Sequence, residues 1–126
     1  MQQDPTVPRL PKLVMVVEDD HLVRDIISEA LATEGFEVLS ASDGVYALDQ
    51  LTRFRRPSLA LVDLWLPRMD GWNFIKALRA DPLLTQIPII AISGDATVDH
   101  VDGVVALVRK PVDLLDLVDK VRHHAL

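Results

Sequence analysis

Groups able to do chemistry fall at four places in this 126-residue chain. They are the run "VVEDD" with Glu18, Asp19 and Asp20, Asp63 in "LALVDLWLPRMDG", Ser93 in "AISG" and Lys110 in "RKP". Two or three carboxylates brought together cannot all stay ionised at low cost unless a cation neutralises them. All-oxygen donors with room for water suit a hard ion, Mg²⁺ above all. An aspartate beside such an ion can attack phosphorus and form an aspartyl phosphate. That transfer needs donors for the phosphoryl oxygens, and here Ser93 offers a hydroxyl and Lys110 a point charge. Singly, each group has a plainer reading: acids that favour a helix N-terminus, a loop start at Ser93-Gly94, a strand end before Pro111. They acquire a joint meaning only in a fold that gathers them.

The apolar pattern predicts such a fold. Apolar runs at 12–17, 58–64, 87–93 and 104–110, with a shorter alternating segment at 36–42, read as five strands. Helical spacing runs from Leu22 to Gly35, from Val45 to Phe54 before Pro57, from Trp72 to Ala80 after an Asp70 N-cap, and from Asp113 to His123. Strands alternating with helices, and strands apolar on both sides, argue an α/β fold with a doubly wound five-stranded parallel sheet. In the flavodoxin-like order 2-1-3-4-5, strands one and three are neighbours where the strand order reverses. Ligands bind outside the carboxyl ends of strands at such a point. Glu18, Asp19 and Asp63 would then share a crevice. Trp72 reads as core, and the cluster Arg53, Arg55 and Arg56 as cations at a helix C-terminus.

Composition narrows the function. A net charge of −6 argues against direct nucleic-acid binding, and 49% hydrophobic with 25% charged residues fits a folded domain. With no cysteine, disulfide and thiol chemistry are excluded. No apolar run approaches the length of a membrane span, and the first twelve residues, with three prolines and no apolar stretch, are no signal peptide. The expectation is a cytoplasmic protein with no membrane insertion, a flexible lead-in over residues 1–11 and one domain over 12–125.

The motifs "VVEDD", "LVDLWLPRMDG", "AISG" and "RKP", in that order, resemble the receiver domain of the two-component response-regulator family over roughly residues 11–125. The central motif is the most specific: an Asp, a Pro four residues on, then Met-Asp-Gly. The resemblance implies that Asp63 is the phosphoacceptor and Asp19 a direct Mg²⁺ ligand. Glu18 would hold metal-bound water, and the Trp65 carbonyl would be a further ligand. It implies that Ser93 and Lys110 contact the phosphoryl group and that the Lys110–Pro111 bond is cis. The implied partners are a histidine kinase or phosphotransfer protein upstream and a protein target downstream. Phosphoryl transfer would be self-catalysed, with autodephosphorylation but no ordinary enzymatic turnover.

Two features depart from the family pattern. The switch pair would be Ser93 and the residue three before the lysine, which is Leu107 rather than an aromatic. A leucine can fill vacated space but has no ring edge or hydroxyl. The stretch from Ser93 to Lys110 is also short, so the fourth helix should be shortened or irregular. Two other functions compete with a switch. An aspartyl-nucleophile phosphatase of the haloacid-dehalogenase type would carry an acid two residues after the nucleophile, where this chain has Trp65. A phosphorylation-independent interaction module is the alternative that Leu107 and the short fourth helix favour.

Overall fold

Strands apolar on both sides need cover on both sides, and the chain supplies it. The structure is a computed structural model and describes residues 10–53 and 55–126. Its elements are β1 (Leu13–Val17), α1 (His21–Thr33), β2 (Glu37–Ala41), α2 (Gly44–Arg53), β3 (Leu59–Asp63), α3 (Gly71–Ala80), β4 (Ile89–Ser93), β5 (Ala106–Arg109) and α4 (Leu114–His124). The five strands are parallel in the expected order, β2-β1-β3-β4-β5. Alternation divides each central strand between two cores. Met15, Val17, Ala60, Val62, Ile89 and Ala91 face α2 and α3, while Val14, Val16, Leu59, Leu61, Ile90 and Ile92 face α1 and α4.

Register then sets which strand ends meet. Val17 pairs with Val62, Asp63 with Ile92 and Ser93 with Arg109, so residues 18, 63, 93 and 110 emerge along one edge. Helix starts are fixed by side-chain caps: Asp20 accepts the Leu22 and Val23 N–H groups, Asp70 that of Asn73, and Asp113 that of Asp116.

The connection from β4 to β5 goes further than the sequence suggested. The expected short fourth helix is absent, and residues 94–105 cross over as turns and bends. Val98, Val101 and Val104 of this strap pack on the α2–α3 core where a helix would lie. The thinner cover leaves Trp72 39% exposed rather than in the core. Arg53 does close its helix, pairing with Asp49 at 2.9 Å, but Arg55 does not. Instead Arg55 joins Glu37 at 3.0 Å and the Pro11 carbonyl at 2.8 Å, tying the start of β1 to β2. Most of the lead-in, residues 1–9, and the helix end expected at Phe54 lie outside the described residues.

The turn after β3 packs closely on its own strand end. A Cβ on Gly71 would sit 2.3 Å from the Asp63 carbonyl oxygen and 2.7 Å from the Leu64 Cα. Both are backbone atoms of a central strand end, so neither can yield cheaply. Gly71→Ala should therefore cost about 2–3 kcal/mol in urea unfolding, a typical overpacking penalty. Gly35→Ala, at φ +93° in open space, should cost only about 1 kcal/mol.

Candidate functional site

Four strand ends deliver the site. Glu18, Asp63 and Ser93 are all but fully buried, at 0%, 2% and 1% exposure. Lys110 stretches between the two acids: its Nζ donates to Asp63 Oδ2 at 2.8 Å and lies 2.9 Å from Glu18 Oε1. The second contact is an ion pair without hydrogen-bond alignment, and neither buried Glu18 oxygen has a hydrogen-bond partner. Asp63 Oδ1 accepts the Trp65 N–H at 2.9 Å. Asp19, on the exposed rim, completes the acidic group: one carboxylate oxygen from each of Glu18, Asp19 and Asp63 lies within 4.8 Å of the others.

The remaining residues are placed differently. Asp20 turns away to cap α1. Trp65 brings its backbone to Asp63 while its side chain lies 64% exposed. The Ser93 hydroxyl is engaged with the strap: it accepts the Asp95 N–H at 3.1 Å and donates to the Asp95 carbonyl at 3.3 Å. Leu107 stands apart from the acids, half-buried against the α2–α3 core. The Lys110–Pro111 peptide is cis.

Electrostatics follow from burial. Desolvation, with the neighbouring Asp63 adding to it and Lys110 opposing, pushes the Glu18 carboxyl up to about 8. Partial burial works against the Lys110 charge, but Asp63 and Glu18 outweigh it and hold its pKa above the ordinary lysine value. Three acidic side chains thus face one ammonium, and the two buried Glu18 oxygens lack hydrogen-bond partners. That imbalance fits a hard divalent cation, which would supply the missing charge and take oxygen ligands from Glu18, Asp19 and Asp63.

Three arginines that the sequence did not mark as functional hold the surrounding loops. Arg24 reaches from α1 to the Glu18 carbonyl at 2.9 Å and steadies the turn that carries the acids. Arg68, in left-handed backbone at φ +64°, pairs with Asp43 at 3.0 Å. Asp43 also accepts the Tyr46 N–H, so one carboxylate ties the loop after β3 to the start of α2. Burial opposes the Asp43 charge, yet these donors keep its pKa below the usual carboxylate range. The third, Arg79, grips the strap. Nothing in spacing or composition separates these arginines from solvated ones.

The raised Glu18 pKa has a thermodynamic sign. Between 4.5 and about 8 the folded chain holds a proton on Glu18 that the unfolded chain has released. Stability from this group is therefore full below pH 4.5 and declines as pH rises toward 8. With a chelator present, thermal unfolding followed from pH 5 to pH 8 should show Tm falling by several degrees, roughly. Glu18→Gln should remove most of that decline, and added Mg²⁺ should offset it in the wild type by binding the folded form.

Comparison with known proteins gives the family. Residues 14–122 match the response regulator receiver domain family. The polar-differentiation response regulator DivK of Brucella anthropi is 32% identical over 120 residues, covering 91% of this chain and 97% of the relative. Among solved structures, a response regulator receiver protein from Pseudomonas putida superposes with a TM-score of 0.83 at 28% identity, covering 92% of this chain and 99% of that one. A sensor protein from Polaromonas gives 0.82 at 27% identity over 93% and 96% of the two chains. CheY4 of Vibrio cholerae, a chemotaxis response regulator, shares the fold at 24% identity with a TM-score of 0.82, covering 90% and 98%. With its acids, serine and lysine gathered at the strand ends, the chain belongs to the receiver-domain family of two-component response regulators.

Proposed function

We propose that this chain is a phosphorylation-driven signalling switch that accepts a phosphoryl group on Asp63. The donor is a phosphohistidine on a histidine kinase or phosphotransfer protein, and the output is altered affinity for a downstream protein. The reading rests on one observation above others: Asp63 is buried to 2% exposure, yet accepts the Lys110 ammonium at 2.8 Å at the mouth of the sheet. A buried carboxylate with an ammonium and a second buried acid is poorly explained as structure alone.

The transfer can be written from the chain's own groups. An Asp63 oxygen attacks phosphorus in line, the P–N bond to the donor imidazole breaks, and the imidazole departs with the bond's electron pair, taking a proton from solvent. Lys110 follows the charge from the carboxylate onto the phosphoryl oxygens. Ser93 leaves Asp95 and donates its hydroxyl to one of those oxygens. Glu18 must give up its proton for the acidic group to hold a cation. Bound Mg²⁺, held by Glu18, Asp19, Asp63 and the Trp65 carbonyl, would screen the repulsion between the Asp63 carboxylate and the incoming phosphoryl group. Trp65, two residues beyond Asp63, is bulky enough to shield the product from water, while Asp95, two residues beyond Ser93, can orient water toward it. The protein turns over nothing beyond its own phosphoryl group, and its place is the cytoplasm; no helix among the described residues is long and apolar enough to cross a membrane.

The missing crossover helix and Leu107 favour a second reading, a receiver-like interaction module that works without phosphorylation. Intact-mass measurement after incubation with acetyl phosphate separates the two. The switch predicts one added phosphoryl group, dependent on Mg²⁺ and absent in Asp63→Asn. No uptake by the wild type, even with a rapid quench, would give the function to the module.

A further inference from the structure

A chain that crosses between parallel strands without a helix must find other partners for its backbone. In the strap, residues 94–105, the partners come from two separate sources. The first half hangs on Ser93. The Asp95 N–H donates to Ser93 Oγ at 3.1 Å, and Asp95 in turn accepts the Thr97 N–H on its carboxylate at 2.9 Å and the Val98 N–H on its carbonyl at 3.2 Å. Arg109 adds two long contacts of 3.4 Å, to the Asp95 and Ala96 carbonyls. Apart from half-buried Asp95 and Val98, residues 94–100 are exposed.

The second half is held from α3. The Arg79 guanidinium donates to the Gly103 carbonyl through Nε at 2.9 Å and Nη2 at 2.6 Å. Its Nη1 donates to the Thr85 and Ile87 carbonyls at 2.8 and 3.0 Å. One planar group therefore joins the strap, the end of α3 and the approach to β4. Gly103, at φ +82°, permits the contact, because a Cβ there would come within 3.3 Å of the Arg79 side chain. Beside it, Val101 is buried in the core and the Val105 N–H donates to the Ile89 carbonyl at 2.8 Å.

We infer that Arg79 takes the place of the missing crossover helix: it pins residues 101–105 of the strap to α3 and confines the rearrangement governed by Ser93 to residues 94–100. A fork of five fixed donors can serve carbonyls on two sides at once, which a lysine ammonium cannot do with the same geometry. The confinement rests on the phosphoryl-transfer reading above. The pin does not.

Four backbone amides report the two halves separately, so residue-resolved hydrogen exchange on the full chain is the test. Asp95, Thr97 and Val98 report the first half, and Val105 reports the second. Without phosphoryl mimic, Arg79→Ala should speed Val105 exchange about tenfold while leaving Asp95, Thr97 and Val98 within about twofold of wild type. Arg79→Lys should lie between, and Met15 and Leu61 in the central strands serve as the control for intact folding. Unchanged Val105 exchange in Arg79→Ala would overturn the pin.

Loading wild type with beryllofluoride and Mg²⁺, its uptake read from bound fluorine resonances absent in Asp63→Asn, should speed exchange at Asp95, Thr97 and Val98 about tenfold and leave Val105 unchanged. In Arg79→Ala the effect of loading should spread to Val105. Bound fluoride with an equal change at Val105 in wild type would overturn the confinement alone. Absence of bound fluoride would remove the phosphoryl reading and the confinement together, with the pin still decided by Arg79→Ala.

Discussion

The burial of Glu18 and Asp63 together, with one ammonium to serve both, sets the conditions for the rest of the molecule. Each charge taken from water costs on the order of several kcal/mol, recovered only where geometry is fixed. The sheet fixes it. In the order β2-β1-β3-β4-β5, the strand carrying Lys110 is separated from β3 by β4, so the lysine stem must cross the end of β4 to reach Asp63. Small residues lie beneath that path: Ser93 ends the strand, and a Cβ on Gly94 would lie in ordinary contact with the Lys110 stem at 3.8 Å. Proton uptake by Glu18 lowers the remaining electrostatic cost, which is why burial raises its pKa while Lys110 stays charged.

Holding Asp63 rigid also constrains the loop that follows it. Trp65 must turn its N–H back onto the carboxylate, and Gly71 must pass within touching distance of the Asp63 carbonyl. Between them Arg68 occupies left-handed backbone, which for a non-glycine residue costs of the order of 1 kcal/mol. Its partly exposed ion pair with Asp43 is worth little as a charge interaction. Its value is geometric, since Asp43 is itself fixed by capping α2. Gly44 lets the two loops close, as a Cβ there would lie 2.9 Å from the Met69 carbonyl oxygen. The loop is held in place by its neighbours more than by its own propensities.

How much of this could be read from the sequence divides along the same line. Strand identity, order and burial were legible because apolar runs such as Leu59–Val62 state their two-sided cover directly. So was the gathering of Glu18, Asp19, Asp63, Ser93 and Lys110, because parallel register brings the C-terminal ends of strands together whatever the loops do. Trp72 misled because its exposure depends on whether a helix forms some 25 residues later, a question of tertiary packing. The arginines were illegible for a different reason. Arg79, Arg24 and Arg55 all donate to backbone carbonyls, and a carbonyl carries no mark in the sequence. The Ser93–Asp95 turn escaped notice in the same way.

The two faces of the sheet are consequently unequal. On one, α1 and α4 cover Ile90, Ile92 and Val108 with helices whose hydrogen bonds are satisfied internally. On the other, the part of the core under Val98, Val101 and Val104 is closed by a strap whose stability comes from side-chain donors. Helices resist local change because their bonds form and break cooperatively. A strap can change in one half and keep the other, provided the halves have separate anchors. Its first half is anchored at Ser93, a buried hydroxyl at the end of the strand next to Asp63. The Ser93 hydroxyl thus links the strand end beside Asp63 to the first half of the strap, while Arg79 holds the second half to α3.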